Sequence, residues 1–380
     1  MSKQNNKKIA AIFGITFVWF TTQFGGGFAS GAQIKSYFID YGIHCLYTCV
    51  GAQAICAIYN AYISYFSRKN HTYDYRSFND KFYGKLAPVF SNIYELIYML
   101  VLLVVPAVAF STGGTTLATL TGIPYIICTA VTGIFIFIVS IYGTAIVRKV
   151  ATALSIMIVA GLLLVFIPNI IVQWDEIAAN TNMLAVNLKP TWPAIWSMLI
   201  YAGSQITLSP AIQSQHAEAL PNEKDAIITF FVGFLVNSFM ILLSVVGLLA
   251  IISQAEYQTT SLPILLLVKN GVGGTIMMPV ISVLIILGSV STAVNLVAAG
   301  TVRVCKRLDA NYDSYAKPTK QVIITTIVLC LLGFGVAQFG LLSLVTKGYG
   351  MLGYLSFPTI MIPYIIHFFV TKGASVNNNQ

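Results

Sequence analysis

Long apolar stretches follow one another along most of the chain, separated by short polar or charged breaks. An apolar stretch of about 20 residues is long enough to cross a membrane as a helix. The pattern therefore predicts an all-α membrane protein with ten transmembrane helices. The predicted spans are 9–39, 43–66, 86–112, 123–145, 149–172, 190–217, 225–253, 275–303, 320–338 and 349–370.

Two of the ten spans are predicted to be broken in the middle. The first contains Gly25-Gly26-Gly27 and Gly31, and a glycine costs about 1 kcal/mol relative to alanine in a helix interior. The sixth contains a polar stretch, 203–210, that ends in Pro210. The alternative for the first break is that its glycines only allow a neighbouring helix to pack closely against this span.

The broken spans divide the chain into two sets of five, 9–172 and 190–370. Because five is odd, the second set must cross the membrane in the opposite direction to the first. Broken helices at corresponding positions of two inverted repeats indicate a binding site near the middle of the membrane. The sequence therefore predicts a 5+5 inverted repeat around such a site.

The composition excludes an ordinary soluble domain. Hydrophobic residues make up 57% of the chain, charged residues only 9%, and the mean hydropathy is +0.80, whereas soluble domains contain about 25% charged residues. The six cysteines have no metal-ligand spacing. No Ser-His-Asp or phosphate-loop pattern is present, so we expect neither an enzyme nor a bound cofactor.

The net charge of +9 is explained by membrane orientation. Of the 21 Lys and Arg residues, only Lys35, Lys189, Lys269 and Lys347 fall on the predicted outer side, and the rest fall on the inner side. The positive-inside rule then places both termini, 1–8 and 371–380, in the cytoplasm. No basic patch is left for nucleic acid, so the expected partners are the lipid bilayer of a bacterial cell membrane and a small-molecule substrate. The oligomeric state stays open.

The nine residues from Gly25 to Gln33, GGGFASGAQ, resemble a motif in the first span of YkvI-type bacterial membrane proteins. Those proteins are similar to the amino acid–polyamine–organocation superfamily, which has the LeuT fold. The resemblance implies an ion-coupled secondary transporter, most often of amino acids or similar zwitterions, driven by Na⁺ or H⁺. Ala32-Gln33 stands where the family motif suggests Gln-Glu, so one carboxylate is missing. A non-transporting small-ligand sensor of the same fold, as spore germinant receptors are thought to be, is the alternative.

A cation site is predicted on the eighth span. Gly288, Ser291 and Thr292 have the i, i+3, i+4 spacing of one helix face, so three oxygen atoms can converge. The family resemblance adds the carbonyls of Thr21 and Phe24 and makes the site one for Na⁺. In the alternative interpretation, these hydroxyl groups only donate to the carbonyl four residues earlier.

A proton-coupling site is the competing prediction. Proton-coupled relatives can carry a lysine inside the fifth span, but Lys149 lies at the predicted entrance of that span, which favours Na⁺. Glu95 lies about ten residues into the third span, where a carboxylate is a candidate proton carrier. Its alternative role is an ion pair with a basic residue of the inner loops.

The predicted substrate site combines both breaks. Backbone amides of the first break can bind a carboxylate, and carbonyls from Tyr201 to Ser204 can bind an ammonium group. The candidate substrate-binding residues are Gly25, Gly26, Gly27, Phe28, Ser30, Ser111, Thr112, Tyr201, Ala202, Gly203, Ser204 and Gln205.

Two connecting segments have their own patterns. The charged and aromatic segment 67–85 predicts a cytoplasmic loop with a short interfacial helix. The segment 254–275 contains SLPILLLVKN, which is too short to span. It predicts either a helix packed over the outer mouth or a surface loop with an apolar patch.

Overall fold

Helices form nearly all of the regular structure. The computed structural model describes residues 2–142, 144–309 and 319–371, with their side chains except those of residues 2–5, 26, 142, 144–155 and 275, and no strand occurs in these ranges. The helices are α1 (Ser2–Gln23), α2 (Gly26–Ala29), α3 (Ala32–Tyr37), α4 (Cys45–Asn70), α5 (Tyr75–Tyr83), α6 (Ala87–Thr121), α7 (Tyr125–Tyr142), α8 (Thr144–Val172), α9 (Trp174–Val186), α10 (Thr191–Ile206), α11 (Ser209–His216), α12 (Asp225–Leu249), α13 (Pro263–Asn270), α14 (Gly274–Leu308), α15 (Lys320–Ala337) and α16 (Leu341–Thr371).

Six helices in the described ranges are long and apolar enough to cross a membrane, and a seventh span results if α8 and α9 are taken together. The chain is thus a multi-pass, all-helical membrane protein. Helices occupy each of the ten predicted stretches. However, the first and sixth predicted spans are interrupted and α7 is short, so the count of ten spans stays a prediction.

The first predicted break is present. α1 ends at Gln23, the four-residue helix α2 follows, and α3 begins only after Gly31. Gly31 has φ = 85°, a left-handed conformation that favours glycine. The helix axis is therefore interrupted twice, around Gly25 and around Gly31, rather than unwound throughout.

The second break lies within the predicted stretch 203–210 but is shorter than predicted. Tyr201 to Gln205 belong to α10, and the interruption falls at Thr207 and Leu208. Pro210 is in the first turn of α11, where its missing N–H is tolerated. The proline therefore starts the second half-helix and does not unwind the residues before it.

Two further elements differ from the sequence prediction. α8 ends in a bend of 81° that leads into α9, whose 13 residues were expected to form a connecting segment. α16 begins at Leu341 instead of 349 and contains π-helical turns at Leu344–Tyr349 and Phe357–Met361.

The predicted tails have different outcomes. α1 begins at Ser2, so residues predicted as a cytoplasmic tail are helical, and Lys8 Nζ lies 2.6 Å from the carboxylate of Asp225 at the start of α12. Residues 372–380 of the C-terminal tail lie outside the described residues. The side chain of Lys149 lies outside them as well.

Both connecting helices are present. In α5, the side chain of Asp74 accepts from the amides of Arg76 and Ser77, and Phe78 and Phe82 are buried. α13 has all residues from Pro263 to Val268 buried, and the Ile264 amide donates to the Ser30 carbonyl (3.2 Å). The packed-helix interpretation of SLPILLLVKN is therefore correct and the surface-loop interpretation is wrong.

Candidate functional site: cavities at the helix breaks

The five residues predicted to hold a cation lie around one cavity. This cavity of about 30 Å³, hereafter the ion cavity, is situated between the end of α1, α8 and the middle of α14. Its lining residues are Phe20, Thr21, Phe24, Gly25, Ile158, Gly288, Ser291 and Thr292. Residues of the first break and of the middle of α14, which are far apart in sequence, thus line one cavity, and their role as cation ligands stays a prediction.

The end of α1 supplies oxygen atoms to this cavity. The amide of Phe24 donates to the carbonyl of Phe20 (2.9 Å), and the helix ends at Gln23. The carbonyls of the last turn of a helix, including that of Thr21, have no intrahelical amide partner. Such carbonyls point along the axis and carry the negative end of the helix dipole, so they attract cations.

Thr292 faces these carbonyls across the ion cavity. Its hydroxyl donates to the Gly288 carbonyl (3.0 Å), which is the back-bond of the alternative interpretation. A hydroxyl that donates keeps two lone pairs, so this bond orients the Thr292 oxygen and leaves it able to accept or to bind a cation. A Cβ atom on Gly25 would lie 3.0 Å from Thr292 Oγ1, so glycine is needed for this close approach.

Two more cavities adjoin the breaks, and we call them together the central cavity. One of about 20 Å³ is lined by Gly25, Gly27, Ser204, Gln205 and Thr292 among others, and the second, of about 10 Å³, extends along α4 and α11. Four residues line both: Thr22, Gln23, Gln205 and Leu208. The two breaks therefore meet at a shared polar space.

Several predicted substrate residues have other contacts. The Ser30 hydroxyl donates to the Gly27 carbonyl (2.9 Å) and accepts from the Ala32 amide (3.2 Å), so it links α2 to the first residue of α3. Phe28 is buried and its ring lies 4.0 Å from that of Phe24. Neither residue lines the central cavity.

On α6 the predicted pair Ser111 and Thr112 lies too far along the helix. Ser111 Oγ hydrogen-bonds the Tyr125 hydroxyl of α7 (2.7 Å), and Thr112 donates back to the Val108 carbonyl (2.8 Å). Val105, Val108 and Ala109 contribute to the cavity wall instead. This helix therefore contributes apolar surface one turn earlier than expected.

Tyr201, Ala202 and Gly203 also lie away from the cavity. Because they are helical, their carbonyls serve the helix, and Gly203 accepts from the Thr207 amide (3.2 Å). A Cβ on Gly203 would lie 2.9 Å from the carbonyl oxygen of Gly353, so this glycine allows close packing of α10 on α16. Of this group only Ser204 and Gln205 reach the cavity, and an ammonium site among these carbonyls stays a prediction.

Buried carboxamides around the cavity were missed in the sequence. Gln23 donates toward the Tyr201 hydroxyl (3.4 Å) and accepts from Asn237 of α12 (3.3 Å). Gln33, Asn60 and Gln213 line the two parts of the cavity. The available signal was that each is an amide within a predicted membrane span, where uncompensated polar groups are costly.

The side of the breaks that the sequence predicts to face outward is covered. Lys35 of α3 is buried, donates to the Gln258 carbonyl (2.8 Å) and lies 5.1 Å from the centre of the Tyr257 ring. The bond from Ile264 to Ser30 fixes α13 on the same break. The segment from Tyr257 to α13, hereafter the outer cover, therefore closes the cavity on that side.

Glu95 is part of an ion pair. Its carboxylate accepts from Arg303 of α14 and from the Tyr75 hydroxyl (3.0 Å), and the Arg303 guanidinium lies 4.7 Å from the Tyr75 ring centre. Both charged side chains are roughly three-quarters buried, with 22% and 24% exposed. The ion-pair alternative is therefore present, and it joins α5, α6 and α14.

No protein-family profile and no curated protein match the chain. Similar solved structures include two of a manganese transporter from Eremococcus coleocola. The first, in complex with an aromatic bis-isothiourea substituted compound, is 13% identical with a TM-score of 0.59, covering 94% of this chain and 78% of that one. The second, a mutant, has a TM-score of 0.57 with the same identity and coverage. The chain has a membrane-transporter fold.

Within this transporter fold, the side chains at the breaks are uncharged. The cavity linings contain amide, hydroxyl and apolar groups, and no Asp, Glu, Lys, Arg or His belongs to them. Across the described residues, no group of three or more His, Cys, Asp or Glu side chains is placed to hold a metal ion. Any cation in the ion cavity would therefore be bound by neutral oxygen atoms.

Proposed function

We propose that the protein is a secondary active transporter that moves a small solute, an amino acid or a similar zwitterion or amine, by ion-coupled symport with alternating access. The observation that carries the proposal is the meeting of two helix breaks at one polar cavity in a transporter fold. Broken helices expose backbone groups inside the membrane only where these line a cavity or are covered by protein. A purely structural membrane protein has no need of them.

The packing between helices supports an internal repeat. If the first five predicted spans correspond in order to the last five, α4 corresponds to α12 and α6 to α14. The most extensive contacts join these two corresponding pairs, α6 with α14 and α4 with α12. The contact of α1 with α12 corresponds to the contact of α10 with α4. In the same way, the contact of α7 with α14 corresponds to the contact of α15 with α6. Each of these contacts has the partner that the exchange of the two halves requires, which supports the inverted 5+5 arrangement.

The cavity volumes support a transport cycle with moving helices. A cavity of about 20 Å³ has room for about one water molecule, far less than an amino acid needs. The outer cover packs on α14 and directly precedes its start, whereas Arg303 of the ion pair lies near its end, so the two closures lie on either side of Gly288 and Thr292. Entry and release therefore require each closure to open in turn.

Na⁺ is the coupling ion that the chemistry favours. Neutral oxygen donors from carbonyl and hydroxyl groups suit a monovalent alkali cation, whereas a divalent transition metal is usually held with carboxylate or imidazole groups. The ion cavity offers only neutral donors, and Thr292 and Gly25 line both it and the central cavity. An ion bound there would touch the solute site directly, which is the physical requirement for coupling.

The test is solute uptake by the purified protein in proteoliposomes. We expect accumulation of a neutral amino acid when Na⁺ is higher outside, and loss of accumulation when choline replaces Na⁺. Manganese, the cargo named for the similar structures, is the comparison substrate. Saturable ligand binding with no flux under any Na⁺ or H⁺ gradient would contradict transport and leave a sensor.

A further inference from the structure

Three carboxamide oxygens around the central cavity lack partners. Gln33 Oε1, Asn60 Oδ1 and Gln213 Oε1 are buried and accept no hydrogen bond within the described part of the chain. Their side chains are only 3%, 1% and 2% exposed. A buried acceptor left without a donor costs about 1–3 kcal/mol, so a donor is expected here in the working protein.

These residues come from three different elements and converge on one space. Gln33 is on α3 and lines the larger part of the cavity, whereas Asn60 on α4 and Gln213 on α11 line the smaller part. Gln23 and Gln205 line both parts and connect them. The spacing of Cys56 and Asn60 places both on the face of α4 that borders the cavity.

We propose that the transported solute is net neutral and donates N–H groups to the carboxamide oxygens of Gln33, Asn60 and Gln213. This inference rests on the proposed function and specifies the substrate class of the same site. Glutamine, asparagine and serine are the probes that represent this class.

Charge is the basis of the selectivity. The cavity linings contain no ionised side chain, so a solute with a net charge would lose its hydration without gaining an oppositely charged side chain. A carboxamide has an acceptor and two donors, so it matches solutes that carry N–H and C=O groups together. A site that hydrogen-bonds such groups also rejects analogues that leave its own groups unpaired.

The matched perturbation is Asn60→Asp, which introduces a negative charge with almost no change of shape. We expect glutamine affinity to fall at least about tenfold, because a buried carboxylate repels the carboxylate of the solute and has no counter-charge among the lining side chains. Lysine or Mn²⁺ affinity should rise in the same variant, so the preference changes sign. Gln213→Glu is the second variant and should shift the preference in the same direction.

Asn92→Asp is the control. Asn92 is exposed on α6, accepts a hydrogen bond from Arg76 (3.0 Å) and lines neither part of the central cavity. Binding to the full chain in lipid nanodiscs is measured as the thermal stabilisation that each probe produces. The probes are glutamine, asparagine, serine, glutamate, lysine and Mn²⁺. We expect the neutral probes to bind wild type and the control at least about tenfold more tightly than the charged probes.

Two outcomes overturn the inference. One is tighter binding of a charged probe than of every neutral probe by wild type, including the case in which no neutral probe binds. The other is an unchanged preference in both Asn60→Asp and Gln213→Glu. Binding of neutral probes without accumulation in proteoliposomes would contradict transport but uphold the substrate class. Accumulation of Mn²⁺ alone would uphold transport but contradict the substrate class.

Discussion

Replacing Thr292 with valine removes one oxygen from the ion cavity at nearly constant volume. The Thr292 hydroxyl lies between Gly288 and Gly25 and lines both the ion cavity and the central cavity. The lost back-bond to the Gly288 carbonyl has little effect on the helix, because that carbonyl keeps its backbone partner. The main effect is therefore on a bound cation.

The magnitude follows from the contact that is lost. A hydrogen-bond-like contact to a charged group contributes about 1.5–3 kcal/mol, so Na⁺ affinity should fall about 10- to 150-fold. Solute affinity in saturating Na⁺ should change much less, because the carboxamides of the central cavity are intact. The effect should thus appear as a shift in Na⁺ concentration dependence.

The assay is Na⁺ titration of thermal stability and of solute uptake, with choline keeping the ionic strength constant. Ser289→Ala is the matched control, because Ser289 is the buried neighbour on α14 that donates to the Ile285 carbonyl (2.7 Å) and does not line the cavity. A Thr292→Val protein with the Na⁺ dependence of wild type would refute the cation assignment.

Three further predictions concern the closures around the site. Gly31→Ala should lower the free energy of unfolding by about 1–2 kcal/mol in denaturant or thermal melts, since φ is 85° and the new Cβ would lie 3.2 Å from the Ile264 amide nitrogen; melts equal to wild type would contradict this. Glu95→Gln and Arg303→Met should each destabilise the protein, and the double variant should be less affected than their sum by at least about 0.5 kcal/mol; strictly additive effects would mean that the pair is not coupled. Lys35→Met should speed hydrogen exchange of the outer cover, measured by mass spectrometry, because its bond to that segment is lost; unchanged exchange would show that Lys35 does not hold the cover.

Patterns that depend on helical periodicity were predictable from the sequence. The i, i+3, i+4 spacing of Gly288, Ser291 and Thr292 placed their oxygens on one face, and the structure brings them to Thr21 and Phe24. The glycine-rich break of the first span was predictable for a similar reason, because glycine destabilises a helix wherever it occurs.

Features that depend on how helices are rotated against each other could not be predicted. The three residues before the cavity-lining Ser204 are an example. On α10, Tyr201, Ala202 and Gly203 face the neighbouring helices instead of the cavity. Asn60 and Gln213 lie on different helices and line one cavity only because α4 packs on α11. A helix gives the spacing of its own side chains, and only the tertiary packing decides which face meets the cavity.

The extent of the second break was overestimated for a local reason. The polar stretch ending in Pro210 suggested unwinding throughout 203–210, but proline in the first turn of a helix is compatible with helical geometry. α10 therefore continues to Ile206, and its interruption is confined to two residues.

The central claim is that the solute passes through the cavity where the two breaks meet, and flux through Gly27→Leu tests it most directly. A Cβ on Gly27 would already lie 3.0 Å from Gln33 Nε2 and 3.3 Å from Val108 Cγ1, so leucine would fill the cavity. Gly335→Leu is the control, because Gly335 is exposed on α15 with no atom within 4 Å of its Cβ position. In proteoliposomes with an inward Na⁺ gradient and equal amounts of inserted protein, we predict glutamine accumulation by wild type and Gly335→Leu and none by Gly27→Leu. Undiminished accumulation by Gly27→Leu would contradict the account.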